Sequence, residues 1–162
     1  MALDGKFDVV GQGCNCWNRQ ASGIAAQFVK QFGTDSFQLE GLGQEGNYNK
    51  LGCIDSQKLV VSGRYTVDVV NCYTQYEYGR DPLETYADVC AIRMCIKKLC
   101  HVFQGYRIGI PALGTGLGNL SMLAFLDAVY ESSLGANLSI VIRDEKPWQE
   151  VINSGFEEFM VN

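Results

Sequence analysis

The chain has 162 residues, 47% of them hydrophobic, and a formal charge of −5. That length and apolar content fit a single domain, residues 1–162, built around one sizeable core. The acidic balance excludes a broad grip on nucleic-acid backbones, which needs clustered Lys and Arg. No apolar run approaches transmembrane length, and Met1-Ala2-Leu3-Asp4-Gly5-Lys6 does not open as a signal peptide, so the expectation is a cytoplasmic chain with no membrane partner. The seven cysteines form an odd, scattered set, which argues for reduced thiols rather than a disulfide framework.

In chain order, Phe7 to Gly13 reads as a buried strand, and a polar loop from Cys14 then opens a helix. Ile24, Ala25, Phe28, Val29 and Phe32 recur at helical spacing from Ser22, the expected N-cap, to the stop at Gly33. Thr34 to Gly52 lacks a strong period and reads as irregular. Lys58 to Ser62 and Thr66 to Tyr73 are β-rich runs able to pair through Gly63-Arg64. The longest helical pattern spans Pro82 to Phe103, with Tyr86, Val89, Cys90, Ile92, Ile96, Leu99 and Val102 expected inward. Arg107 to Pro111 is a further strand, followed by a Gly-rich loop through Asn119 and a helix over Ser121 to Glu131. Leu138 to Ile142 is the last strand, with a short helix expected over Pro147 to Asn153.

Strands alternating with helices predict an α/β fold with a largely parallel sheet and helices on both faces. Ligands then sit beyond the carboxyl ends of the strands. On an acidic chain a phosphorylated ligand must be held by local donors, such as amides in Gly-rich loops or at helix N-termini. The segments Gly11 to Gly23 and Gly114 to Gly118 leave strands in the right way to open onto one cleft. Neither carries the dinucleotide nor the P-loop fingerprint, and ordinary capping or a tight turn would explain each alone.

Other residues carry plainer readings. His101, the only histidine, falls late in the long helix as a surface or capping residue. Cys14 and Cys16 make a weak C-x-C pair, and Cys90, Cys95 and Cys100 spread round their helix, so no metal site is expected. Tyr73, Tyr76 and Tyr78 are rim or core aromatics, with Tyr76 the candidate for ligand contact. Asp81, Glu84 and Asp88 read as an acidic helix start.

Three blocks, taken in order, resemble the macro domain family: Cys14-Asn15-Cys16 with Gly23-Ile24-Ala25, then Val70-Asn71-Cys72-Tyr73-Thr74-Gln75-Tyr76, then Ile110-Pro111-Ala112-Leu113-Gly114-Thr115-Gly116-Leu117-Gly118. The resemblance covers roughly residues 7–142, leaving 143–162 as a C-terminal extension, and is nearest to the branch of phage proteins and ADP-ribose 1''-phosphate phosphatases. It implies a three-layer α/β/α fold with a mixed, largely parallel central sheet, and ADP-ribose or a related nucleotide as partner. It also implies that Asn15 bonds the distal ribose while Ser22, Gly23, Ile24, Ala25, Gly114, Thr115, Gly116, Leu117 and Gly118 serve the phosphates. Thr74, Gln75, Tyr76 and Asn119 complete the implied binding set. No cofactor is implied.

The activity implied by that branch is hydrolysis of ADP-ribose 1''-phosphate, with Asn15 and Gln12 at the reacting centre. Related phosphatases carry a histidine where Gln12 stands, and glutamine is a poor general acid or base. Relatives that cleave ADP-ribose from protein carboxylates carry a lysine at Gln75 and an aspartate at Gly118. Members usually begin with an extra strand and an adenine-recognising aspartate, for which Asp4 is the candidate. A binder or sponge of an ADP-ribose-derived signalling nucleotide, as in phage counter-defence, is the alternative, and a reader of ADP-ribosylated protein is a variant of it.

Overall fold

The computed structural model describes residues 5–39, 41–42, 46–61 and 63–142. The chain runs β1 (Val9–Asn15), α1 (Gly23–Phe32), β2 (Ile54–Val61), β3 (Tyr65–Gln75), α2 (Val89–Val102), β4 (Ile108–Ile110), α3 (Met122–Ser132) and β5 (Leu138–Ile140), with single 3-10 turns at Thr34–Ser36 and Tyr48–Lys50. The five strands form one sheet in the order β2-β3-β1-β4-β5. β1 pairs in parallel with β3 and β4, β4 pairs in parallel with β5, and only β2 runs antiparallel. Successive side chains along a strand point to opposite faces, so Val9 and Val10 enter different cores. Val9, Val70, Ile108 and Ile110 pack against Ile92, Ile96 and Leu99 of α2 and Phe125 and Leu126 of α3. Val10, Val67 and Val69 face Phe37 and the half-buried Phe28 and Phe32 of α1. The expected α/β/α layering and mixed, largely parallel sheet are both present.

Several element boundaries differ from expectation, β2 for instance beginning at Ile54 rather than Lys58 and β5 ending at Ile140. β1 begins at Val9 because Phe7, though buried, lays its ring over Gly109, where a Cβ would sit 2.7 Å from it. α2 begins at Val89 rather than Pro82: Asp88 caps it by accepting from the Ala91 amide at 3.0 Å, while residues 82–83 form a turn and the amides of Tyr86 and Ala87 donate to Gly118 O. Cys90 and Val102 are exposed, not inward, because the buried stripe is Ala91, Ile92, Cys95, Ile96 and Leu99. The Gly63-Arg64 connection between β2 and β3 is as expected. Asp4, Ser62, the helix expected over 147–153 and the 143–162 extension lie outside the described residues.

The topology fixes where a ligand can sit. α1 carries the chain from β1 towards β3 across one face, and α3 carries it from β4 towards β5 across the other. Neighbouring strands β1 and β4 therefore send their connections in opposite directions, which opens a crevice beyond their carboxyl ends.

Candidate functional site

One wall of the crevice is the loop from Asn15 to Ser22. Asn15 is buried, and its carboxamide folds this loop: Oδ1 accepts from the amides of Trp17 at 3.1 Å and Arg19 at 3.0 Å, and Nδ2 donates to Arg19 O at 2.8 Å. One Nδ2 hydrogen remains for another acceptor. The Cys16 amide bonds Gln75 O and Tyr76 O, which ties the loop to the end of β3. From below, the buried Lys50 ammonium donates to Cys16 O at 3.3 Å and lies 5.5 Å from the centre of the Tyr73 ring. Burial pushes the Lys50 amine below its ordinary range, against the pull of Cys16 and Asp55, and it pushes the Asp55 carboxyl up.

Beneath the loop lies a buried cluster of amides in which Gln12 Oε1 has no partner among the described residues. Gln12 Nε2 is 2.9 Å from Gln20 Oε1, 2.9 Å from Asn71 Oδ1 and 3.1 Å from Thr34 Oγ1, while Thr34 Oγ1 donates to Gln20 Oε1. Gln12 is 0% exposed. The structure thus corrects the expectation that Gln12 lines the reacting centre: its side chain braces the loop from inside.

At the start of α1, Ser22 takes the extended N-cap conformation, but its hydroxyl makes no cap hydrogen bond, and no acidic residue occupies the first turn. Gly23 has φ +61°, which an L side chain adopts only with strain. The first-turn amides consequently face outward with the positive end of the helix dipole behind them.

The opposite wall is the loop from Pro111 to Ser121. Its base is fixed: Gly114 O accepts from Leu120 N, Gly118 O accepts from Tyr86 N and Ala87 N, and Thr115 Oγ1 donates to Ala112 O. Asn119, at φ +57°, spends both Nδ2 hydrogens on Asp81 O and Glu84 O. A Cβ on Gly118 would lie 2.6 Å from Gly114 O, so only glycine fits there. Gly13 lets the loop rest on β1, since a Cβ there would meet Thr74 Oγ1 at 3.0 Å and Gly114 N at 3.9 Å. At the tip, Gly116 and Leu117 are exposed, with open space round Gly116.

Asn15 and Ser22 to Ala25 follow the carboxyl end of β1, and Gly114 to Gly118 follow the carboxyl end of its parallel neighbour β4. Thr74 is not at the surface of this cleft: it is 1% exposed, packed beneath Gly13. The Asn119 carboxamide also points away, stapling the two loops. Gln75 donates to Glu77 O and borders Gly118. Tyr76 is half-buried between Trp17 and Tyr48, two rings that sequence reasoning did not connect with it. His101 ends α2 at the opposite edge of the sheet, exposed.

All seven cysteines are free, and burial drives the Cys14 and Cys16 thiols upward, Cys16 to about 11. Among the described residues no group of His, Cys, Asp and Glu could hold a metal ion. What the crevice offers is hydrogen-bond donors for an anionic, hydroxyl-bearing ligand.

No family model and no curated protein matches the sequence. Solved structures do. The macrodomain of DarG from Thermus aquaticus superposes with a TM-score of 0.65 at 18% identity, over 89% of this chain and 94% of that one. DarTG from Thermosipho africanus, in complex with ADP-ribose, gives 0.67 at 14% identity, over 90% of this chain and 40% of that one. A Trypanosoma brucei macrodomain in complex with ADP gives 0.57 at 12% identity, over 91% of this chain and 63% of that one. The chain has the macrodomain fold.

Proposed function

We propose that the protein is a macro domain that binds ADP-ribose or a close derivative in the crevice between the 16–22 and 111–121 loops. The observation that carries this reading is the pairing of an uncapped α1 N-terminus with the exposed tip at Gly116-Leu117, across the switch point between β1 and β4. Amides from both walls suit a pyrophosphate, and the remaining Asn15 N–H suits a ribose hydroxyl. Two of the neighbours with this fold were solved with ADP-ribose and with ADP, which agrees with that ligand class.

Binding without turnover fits best. Glutamine at position 12 is a poor proton carrier and is sealed inside, and the sole histidine is at the far edge of the sheet. Capture of an ADP-ribose-derived signalling nucleotide in the cytoplasm, as a phage would use against a host defence, is the biological role that follows.

Calorimetry with ADP-ribose tests the reading. Gly116→Glu has space for its side chain and brings a carboxylate to the phosphate donors, so it should weaken binding by tenfold or more, about 1.4 kcal/mol, with no change in melting temperature. Equal binding by wild type and variant would refute the location. Phosphorus NMR with ADP-ribose 1''-phosphate should show a bound, intact nucleotide. Release of inorganic phosphate that disappears in Asn15→Ala would establish the phosphatase reading instead.

A further inference from the structure

Three aromatic rings meet beside Asn15, on the side of the crevice towards β3 and β2. Trp17 and Tyr76 stand with centroids 6.1 Å apart at 57°, and Tyr48 and Tyr76 with centroids 5.2 Å apart at 55°. They come from three separate segments, and each is tied to the site. The Trp17 amide donates to Asn15 Oδ1, Tyr76 O accepts from the Cys16 amide, and Tyr48 sits on the turn that supplies Lys50 beneath the same loop. Gly46 lies flat on the Trp17 ring, where a Cβ would collide, so the indole plane is fixed. Yet the cluster is not a closed core: Tyr48 is 66% exposed, and the buried Trp17 Nε1–H has no acceptor among the described residues.

We propose that Trp17, Tyr48 and Tyr76 form a subsite for a planar heteroaromatic ring attached to the terminal ribose of the nucleotide. The inference rests on the reading of the crevice as an ADP-ribose site with Asn15 at that ribose. A phosphate or a plain hydroxyl gains nothing from three ring faces. A flat ring stacks on them, and a cationic ring is attracted further.

NAD+, which is ADP-ribose carrying a nicotinamide ring at that position, is the probe. Calorimetry should show NAD+ binding, and Tyr48→Ala should weaken it roughly 5- to 30-fold while ADP-ribose affinity stays within about twofold. Proton NMR should show the nicotinamide signals moved upfield by ring currents in the wild type, with the shift reduced in Gly46→Ala, which displaces Trp17. ADP-ribose binding without NAD+ binding, or NAD+ binding that neither variant alters, would overturn the subsite alone. Failure of both nucleotides to bind would overturn the crevice reading and the subsite with it.

Discussion

Replacing Gln12 with leucine separates an internal brace from a reacting group. The two side chains have similar volumes, so no large cavity forms. The variant loses the hydrogen bonds that the two Nε2 hydrogens make among Gln20 Oε1, Asn71 Oδ1 and Thr34 Oγ1, and strands Asn71 Oδ1 in a fully buried site. Gln20 and Thr34 keep each other. Two lost bonds at about 1 kcal/mol each, plus about 1 kcal/mol or more for the stranded acceptor, less about 1 kcal/mol for removing Gln12 Oε1, which is buried without a partner among the described residues, give a loss of about 1–3 kcal/mol. In a chain of 162 residues that lowers the melting temperature by roughly 2–12 °C. Thermal melts and urea titrations measure it, with the urea slope unchanged. ADP-ribose affinity, measured well below the transition, should stay within about twofold. A variant as stable as wild type but unable to bind or turn over nucleotide would refute the internal role.

Further outcomes follow from other contacts. Arg107 holds the Asp8 carboxyl at about 2 instead of 3.8, chiefly through its side-chain hydrogen bond; a depressed carboxylate stabilises the fold above its unfolded value and loses that contribution as pH falls through the folded one. Asp8→Asn should therefore be less stable than wild type above pH 3.8, with the two unfolding curves converging near pH 2. Gly118→Ala, whose Cβ would meet Gly114 O at 2.6 Å and Ala87 Cβ at 3.0 Å, should cost roughly 1–3 kcal/mol by overpacking and weaken ADP-ribose binding in parallel, as read by melts and calorimetry on one preparation. Brief alkylation of the native protein should label exposed Cys90 and spare buried Cys14, Cys16, Cys72 and Cys95. Peptide mass mapping checks this, and labelling of Cys14 before Cys90 would contradict the burial described.

The parts of the fold legible in the sequence are those set by local chemistry. Val67, Val69 and Val70 announce β3 by side-chain type, and Gly33 ends α1 because its φ of +65° suits glycine. The error at α2 arose because Pro82 to Asp88 carries helix-start residues whose conformation is decided by a distant acceptor, Gly118 O. Gly23 and Gly114, at φ +61° and +75°, follow the same local rule as Gly33, whereas Gly118 is required by its contact with Gly114 O. The role of Gln12 was not legible, since its three partners lie 8, 22 and 59 residues away. Nor was the ring cluster: Tyr48 sits in a stretch without periodicity, and only folding sets it against Tyr76.

The helix whose first-turn amides would meet the nucleotide is also the most lightly anchored of the three described α-helices, since α1 has no fully buried residue. Opening of such an element costs far less than global unfolding. A nucleotide seated on its N-terminus would thus act as a clasp, and part of the interaction energy would go into quenching the motion of α1. Affinity then depends on Phe28 and Phe32, on the sheet-facing side of α1 and remote from any phosphate. Amide exchange along 23–32 becomes a gauge of occupancy, and evolution can retune the grip by repacking the helix without altering a single residue that meets the ligand.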